Sequence, residues 1–234
     1  MSLEDESLKN NKIILDDLVE NKTVNTYLEM ADRFIGAIGY TEHGARHAGL
    51  VAHIAHNILQ RLGYPEREVE LAAIAGYLHD IGNSISRQEH GVSAALLARS
   101  ILKEMGMPED EIALIMNAIG NHEEEYGWAT HPIAAALVIA DKADVHRSRV
   151  RHENKNKARR SNDIHDRVNY AAQKSFLRVD GETKTISLEI QIDTTISKVM
   201  EYFEIFLSRM VMCRKAAEVL NCRFYLVIND VQLL

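Results

Sequence analysis

One ordered set of side chains along the chain has the types that hold cations: His47, the dipeptide His79-Asp80, His90, His122 and Asp141. Imidazoles and carboxylates in combination suit Fe, Mn, Zn or Mg. The centre of the set is GYLHDIGN, residues 76–83. An ionised carboxylate deep in an apolar helix is prohibitively costly without a partner. A cation removes that cost, and the two oxygens of Asp80 can bridge a pair of ions while His79 ligates one. A buried His–Asp hydrogen bond would satisfy the same dipeptide, and a second one, His165-Asp166, lies among polar and charged neighbours. The weight therefore falls on the set. Around ARHAGLVAHIAHNILQRL, a rotation of about 100° per residue puts His43 near His47, His53 well off and His56 opposite. Those four cannot all serve one site.

These residues need helices to hold them. Apolar periodicity gives helices near 23–38, 43–62, 66–80, 90–105, 109–121 and 131–147, with Pro65, Pro108 and Pro132 at or before first turns, where a missing N–H costs nothing. Between Glu66 and His79, Val69, Ala72, Ala73, Ile74, Ala75, Tyr77 and Leu78 make the broad apolar surface of a buried helix. Gly63, Gly82, Gly106 and Gly127 punctuate the turns. The character changes near Ser175. Phe176–Val179 and Thr185–Ile192 read as strands around an Asp180-Gly181 turn. Asp193-Thr194-Thr195 offers caps for a long helix reaching about Leu220, and Cys222–Ile228 reads as a closing strand. The expected fold is mainly α: a helical bundle with a small C-terminal α+β (β-β-α-β) subdomain. Its expected divisions are an N-terminal extension over 1–22, a helical metal-binding domain over 23–172, and the α+β part over 173–234. The last carries no cluster of ligand-type residues, so packing, oligomerisation or substrate selection is its expected business.

Composition excludes several classes. Apolar residues are 46% and charged residues 26% of 234, ordinary for a soluble globular chain. No run approaches the ~20 apolar residues of a membrane span, and the N-terminus lacks the basic-then-apolar layout of a signal peptide. Two cysteines, Cys213 and Cys222, are too few for a disulfide framework, and a cytoplasmic location is expected. The net charge of −7 argues against a long nucleic acid as partner. Yet His146–Arg160 carries seven Lys and Arg against Glu153 alone, a local +6 that suits a small anionic ligand.

The pattern His47, His79-Asp80, Asp141, on successive helices in this order, resembles the HD-domain superfamily of metal-dependent phosphohydrolases, over about residues 40–150. His90 and His122 are similar to the additional ligands of its binuclear branches. The layout and the string IADKAD are most similar to the bacterial branch that hydrolyses diadenosine polyphosphates. Two departures stand out. Asn83 occupies a place that usually holds lysine. The GYP signature and paired histidines of the cyclic-dinucleotide branch are absent, with Glu123 following His122, which disfavours cyclic-di-GMP turnover.

The resemblance implies two divalent ions. His47, His79, Asp80 and Asp141 would hold the first, and Asp80, His90 and His122 the second, with Asp80 central to catalysis. Metal-activated water would then attack a phosphoester or phosphoanhydride of a small phosphorylated substrate, expected to be a nucleotide. In that setting Lys142, Arg147 and Arg151 are the expected phosphate contacts. Glu123 and Glu124 are candidates for supporting the ligands, and Tyr126 and Trp128 for a base-stacking wall. A mixed-valent di-iron oxygenase on the same ligands, and a non-catalytic nucleotide-binding module with a homo-oligomer interface, are the alternatives.

Overall fold

The structure, a computed structural model, describes residues 12–124, 127–151 and 164–233. Helices α1 (Leu15–Val19), α2 (Lys22–Ala37), α3 (Ala45–Leu62), α4 (Glu66–Leu78), α5 (His90–Glu104), α6 (Glu109–Gly120) and α7 (Pro132–Ala143) form the bundle. Short 3₁₀ turns at Ile81–Ser84 and Arg147–Arg149 follow α4 and α7. Then come α8 (Ile164–Ala171), β1 (Ala172–Asp180), β2 (Thr185–Ile192), α9 (Val199–Val219), β3 (Arg223–Ile228) and the two-residue β4 (Val231–Gln232). The mainly helical fold with a small C-terminal sheet is therefore as the sequence implies. Among the described residues, no helix is long and apolar enough to cross a membrane.

Local chemistry explains the elements. Pro65 and Pro108 cap α4 and α6, and Pro132 is the first residue of α7. Helix α3 buries one stripe, including His47, Val51, Ala52, Ala55, Ile58 and Leu59, whereas α4 and α7 are buried on nearly every side. Segment 1–22, read as an extension, contributes α1. Its Leu18 is fully buried, a burial that contributes about 1.5–3 kcal/mol.

The sheet runs β1-β2-β3-β4, antiparallel, parallel, antiparallel. Strand β2 alternates, with Ile186, Leu188, Ile190 and Ile192 buried on one face. Parallel β2 and β3 require a crossover, which α9 supplies. Helix α9 packs against both α7 and β3, so bundle and sheet share one core.

Several boundaries differ from the periodic reading. Helix α4 ends at Leu78, leaving His79 and Asp80 at the junction with the 3₁₀ turn instead of inside a helix. Helix α7 stops at Ala143, four residues early. Asp193 caps no helix: its carboxylate accepts from the amide and hydroxyl of Thr195 in a local turn. Helix α9 starts after Lys198, whose amide donates to Glu201 Oε2 at 3.1 Å. Strand β1 begins at Ala172, four residues before Phe176.

Candidate metal centre

Five helix ends converge on one point. His47 lies in the first turn of α3, His79-Asp80 just past α4, His90 at the start of α5, His122 just past α6 and Asp141 in the last turn of α7. Two glycines permit the approach. A Cβ on Gly76 would lie 2.8 Å from the Cα of Ala52, so α4 crosses α3 closer than any side chain allows. A Cβ on Gly82 would lie 2.0 Å from the carbonyl oxygen of His90, so the 3₁₀ turn rests directly on the start of α5.

The resulting cluster is tight. Asp80 Oδ2 lies 3.3 Å from His79 Nε2 and 3.6 Å from His47 Nε2, while its Oδ1 lies 3.3 Å from His90 Nε2. Asp141 Oδ1 is 3.4 Å from His47 Nε2 and 3.7 Å from His79 Nε2. His122 Nε2 faces His90 Nε2 at 3.1 Å. The four imidazoles stack edge to face in a row, His47, His79, His122, His90, with ring centroids about 5 Å apart. All the sequence-nominated histidine and aspartate ligands are thus brought together, and all but Asp141 are buried.

The outer nitrogens of the rings are all engaged. His47 Nδ1 donates to Asp144 Oδ2 at 2.8 Å, His79 Nδ1 to the Gly76 carbonyl at 2.8 Å, and His122 Nδ1 to the Ile119 carbonyl at 2.6 Å. His90 Nδ1 lies 3.1 Å from both the Arg87 carbonyl and Glu123 Oε2. Such outer acceptors fix the tautomer and make the inner nitrogen a better donor to metal. In a neutral ring held this way, Nε2 carries a lone pair aimed inward. The facing lone pairs of His90 and His122 repel unless a cation or proton intervenes. His47 Nε2, His79 Nε2 and Asp80 Oδ2 are buried without a hydrogen-bond partner among the described residues, which native interiors rarely tolerate. Two groups have ligand atoms mutually within 4.8 Å, His47/His79/Asp141 and His79/Asp80/His122. The donor set fits divalent ions.

Electrostatics agree. Burial opposes ionisation of Asp80, yet the facing His79 and His90 hold its carboxyl well below the usual range. Burial likewise opposes charge on Asp141, but Lys142, His47 and His79 keep it ionised. Burial, reinforced by His90 and His79, pushes His122 well down, towards the neutral form that ligates metal. Burial works against charge on His79 too, but Asp80 and Asp141 carry it up to about 10. These carboxylates call for positive charge at their centre, which a protonated His79 or a metal ion would supply.

The cluster lies at the wall of a cavity of about 840 Å³. Four basic side chains, Arg87, Lys142, Arg149 and Arg209, line it against five acidic ones, Asp80, Glu89, Glu123, Glu124 and Asp141. Two divalent ions would reverse that balance and make the cavity attractive to phosphate. Lys142 is buried, 2.5 Å from Asp141 Oδ2 and 3.1 Å from Glu124 Oε1.

Arg147 and Arg151 are placed elsewhere, which corrects the sequence expectation. Arg151 forks onto Asp32 at 2.7 and 3.0 Å and onto the carbonyls of Tyr40 and Thr41. Arg147 stacks over Tyr170, 5.4 Å from the ring centroid. The arginine between them, Arg149, lines the cavity. The 3₁₀ turn explains this, because it advances about 120° per residue and breaks the phase carried from α7. Lys155, Lys157, Arg159, Arg160 and Tyr126 lie outside the described residues. Trp128 lines a different cavity, under Lys215.

Sequence reasoning missed Asp144, Arg87, Arg149 and Arg209. Asp144 was visible as the second acid of IADKAD. Asn83, in the place where lysine was expected, donates to Asp80 Oδ1 at 2.8 Å and accepts from Arg87 Nη1 at 3.3 Å. It therefore orients the Asp80 carboxylate and anchors an arginine beside it.

The sequence model of the HD domain matches residues 44–182. The uncharacterized protein MJ1020 of Methanocaldococcus jannaschii is 36% identical over 99 residues, covering 36% of this chain and 38% of that protein. The chain therefore spans less than half the length of this relative.

Proposed function

This chain belongs to the HD-domain family, and from that premise we propose that it is a metal-dependent phosphohydrolase. It cleaves a phosphoester or phosphoanhydride of a small nucleotide, a reading that the ligand layout and the IADKAD string support through their likeness to the diadenosine-polyphosphate branch. The observation that carries the reading is the convergence of the unpartnered His47 Nε2, His79 Nε2 and Asp80 Oδ2 at a cavity walled by Arg87, Lys142, Arg149 and Arg209.

In this reading His47, His79, Asp80 and Asp141 would hold one ion, and Asp80, His90 and His122 would hold a second. Such ions, when bound, lower the pKa of water towards about 7 and neutralise the attacked phosphate. The remaining work belongs to the chain. Asp80 turns Oδ2 to His47 and His79 and Oδ1 to His90, the arrangement a bridging carboxylate needs. Arg149 and Arg87 present guanidinium groups to an anion, a shape matched to phosphate. Glu124 links Lys142 to Arg209, 3.1 and 2.8 Å away, and holds both at the cavity wall. The expected division into 23–172 and 173–234 would then be one of function, within a shared core. The first part carries the ligands, and α9 of the second lends Arg209.

The test is metal analysis of the purified protein, followed by an anaerobic phosphate-release screen of nucleotides with Fe, Mn, Mg and Zn. Oxygen-independent release that chelation abolishes is expected. Absence of release with every metal, or turnover only with oxygen, would overturn the reading.

A further inference from the structure

A second cavity of about 340 Å³ adjoins the first and shares Arg87, Arg149 and Arg209 with it. Ligand pockets begin near this size, at roughly 300 Å³. Its chemistry changes away from the metal centre. Among the described residues, every Lys or Arg that lines it is one of those three shared arginines, and its own walls include Ile38, Phe206, Asp166 and Asn169. The guanidinium of Arg87 lies over Tyr40, 5.0 Å from the ring centroid, and that of Arg209 over Phe206, 4.8 Å away. Cations therefore sit at the junction, with aromatic surface behind them.

Asn169 supplies the second observation. Its residue surface is 5% exposed, and Oδ1 is buried with no hydrogen-bond partner among the described residues. The amide orientation follows from Nδ2, which donates to the His165 carbonyl at 2.9 Å. Flipping the amide would set two acceptors against each other, so Oδ1 is the atom left over. A buried acceptor without a donor costs its full desolvation penalty. A ligand bearing an N–H would satisfy it.

We propose that this second cavity receives the non-phosphate part of the substrate: a nucleobase with an exocyclic amino group, which donates to Asn169 Oδ1 beside the rings of Tyr40 and Phe206. The phosphate would lie across the three arginines. A second phosphate is a poor occupant, because Asp144 and the Asn169 oxygen present acceptors there and, among the described residues, no further lysine or arginine lines the cavity. The His165-Asp166 dipeptide thereby belongs to the wall of this subsite and not to a metal site. The assignment rests on the phosphohydrolase reading only for the position of the phosphate.

The experiment compares two ligands that differ by one amino group, adenosine and purine riboside, as 5′-monophosphates and as nucleosides, on the metal-loaded full chain. Phosphate release gives KM and kcat, and calorimetry gives nucleoside affinity. The amino-bearing member of each pair should be favoured about tenfold in KM and in Kd, as one buried hydrogen bond warrants. Asn169→Leu should erase the difference. Equal values for the two ligands on the unsubstituted protein overturn the subsite, whatever the variant does. Should no phosphate be released from either nucleotide, the phosphohydrolase reading falls and calorimetry still decides. A tenfold preference for adenosine sustains the subsite, and equal or undetectable binding removes it.

Discussion

Asp144 Oδ2 accepts a hydrogen bond from His47 Nδ1 at 2.8 Å, across 97 residues of chain. The same oxygen receives Arg46 Nη2 at 2.9 Å and lies 3.6 Å from Arg149 Nη1. Burial opposes ionisation of Asp144, but His47, Arg149 and Arg46 keep it charged far below the usual carboxylate range. A carboxylate behind an imidazole ligand raises its basicity and locks its orientation. Asp144→Asn retains an acceptor but not the charge. Metal affinity, read by competition with a chelator, should fall about 10–100-fold while the fold persists. Unchanged affinity would remove Asp144 from the support of His47.

Gly82 tests how the centre is assembled. A Cβ there would meet the His90 carbonyl oxygen at 2.0 Å and the Ala94 amide nitrogen at 2.5 Å, both backbone atoms that cannot swing aside. Gly82→Ala should therefore push the 3₁₀ turn off α5 and separate Asp80 from His90. Overpacking of this kind costs about 1–3 kcal/mol. A lowered midpoint in urea together with reduced metal content is expected. A variant as stable and as metal-rich as the parent would refute the close-approach argument.

The convergence of the candidate ligands was legible because cation-binding types are few and the elements around them are strongly periodic. Helices α2 to α7 lie within a few residues of where apolar spacing puts them, and the ligands fall at their ends. What was not legible depended on tertiary phase. Asp144 reads as one more acid on a helix until α7 ends at Ala143 and the chain turns back towards His47. Arg149 replaces Arg147 and Arg151 at the cavity because a 3₁₀ turn resets the rotation. Arg209 reaches the site from α9, and no local pattern announces a contact between segments so distant in sequence. The close approach at Gly76 is likewise a property of two helices together.

Acid stability should reveal the cap of α9. Glu201 accepts from Arg167 Nη2 at 2.7 Å, Ser197 Oγ at 2.5 Å and the Lys198 amide at 3.1 Å. Arg167, then Ser197, bring its carboxyl down to about 2. A depressed carboxyl stabilises the fold fully above its unfolded value, near 4.5, and that stabilisation is lost as pH falls through about 2. Glu201→Gln should lower stability at neutral pH and flatten this part of the acid limb, as followed by urea unfolding at several pH values. An identical acid limb in the variant would show that Glu201 does not titrate this way.

His90 decides whether the centre holds two ions. Its Nε2 lies 3.3 Å from Asp80 Oδ1 and 3.1 Å from His122 Nε2, on the side of Asp80 away from His47 and His79. Neither the His79, Asp80 and His122 group nor the His47, His79 and Asp141 group includes it. Removing the imidazole should therefore leave the latter group intact while depriving the far side of a ligand. His90→Ala is expected to bring the metal content from two per chain to one. Hydrolysis should fall by orders of magnitude, because a two-ion site stabilises both the attacking and the leaving oxygen and a one-ion site cannot. Asp80→Asn should differ, lowering the occupancy of both sites, since its two oxygens face both groups. The comparison is made by elemental analysis of the two variants beside the parent. A count of two ions retained in His90→Ala would reduce His90 to a wall of the cavity and leave the centre to the remaining ligands.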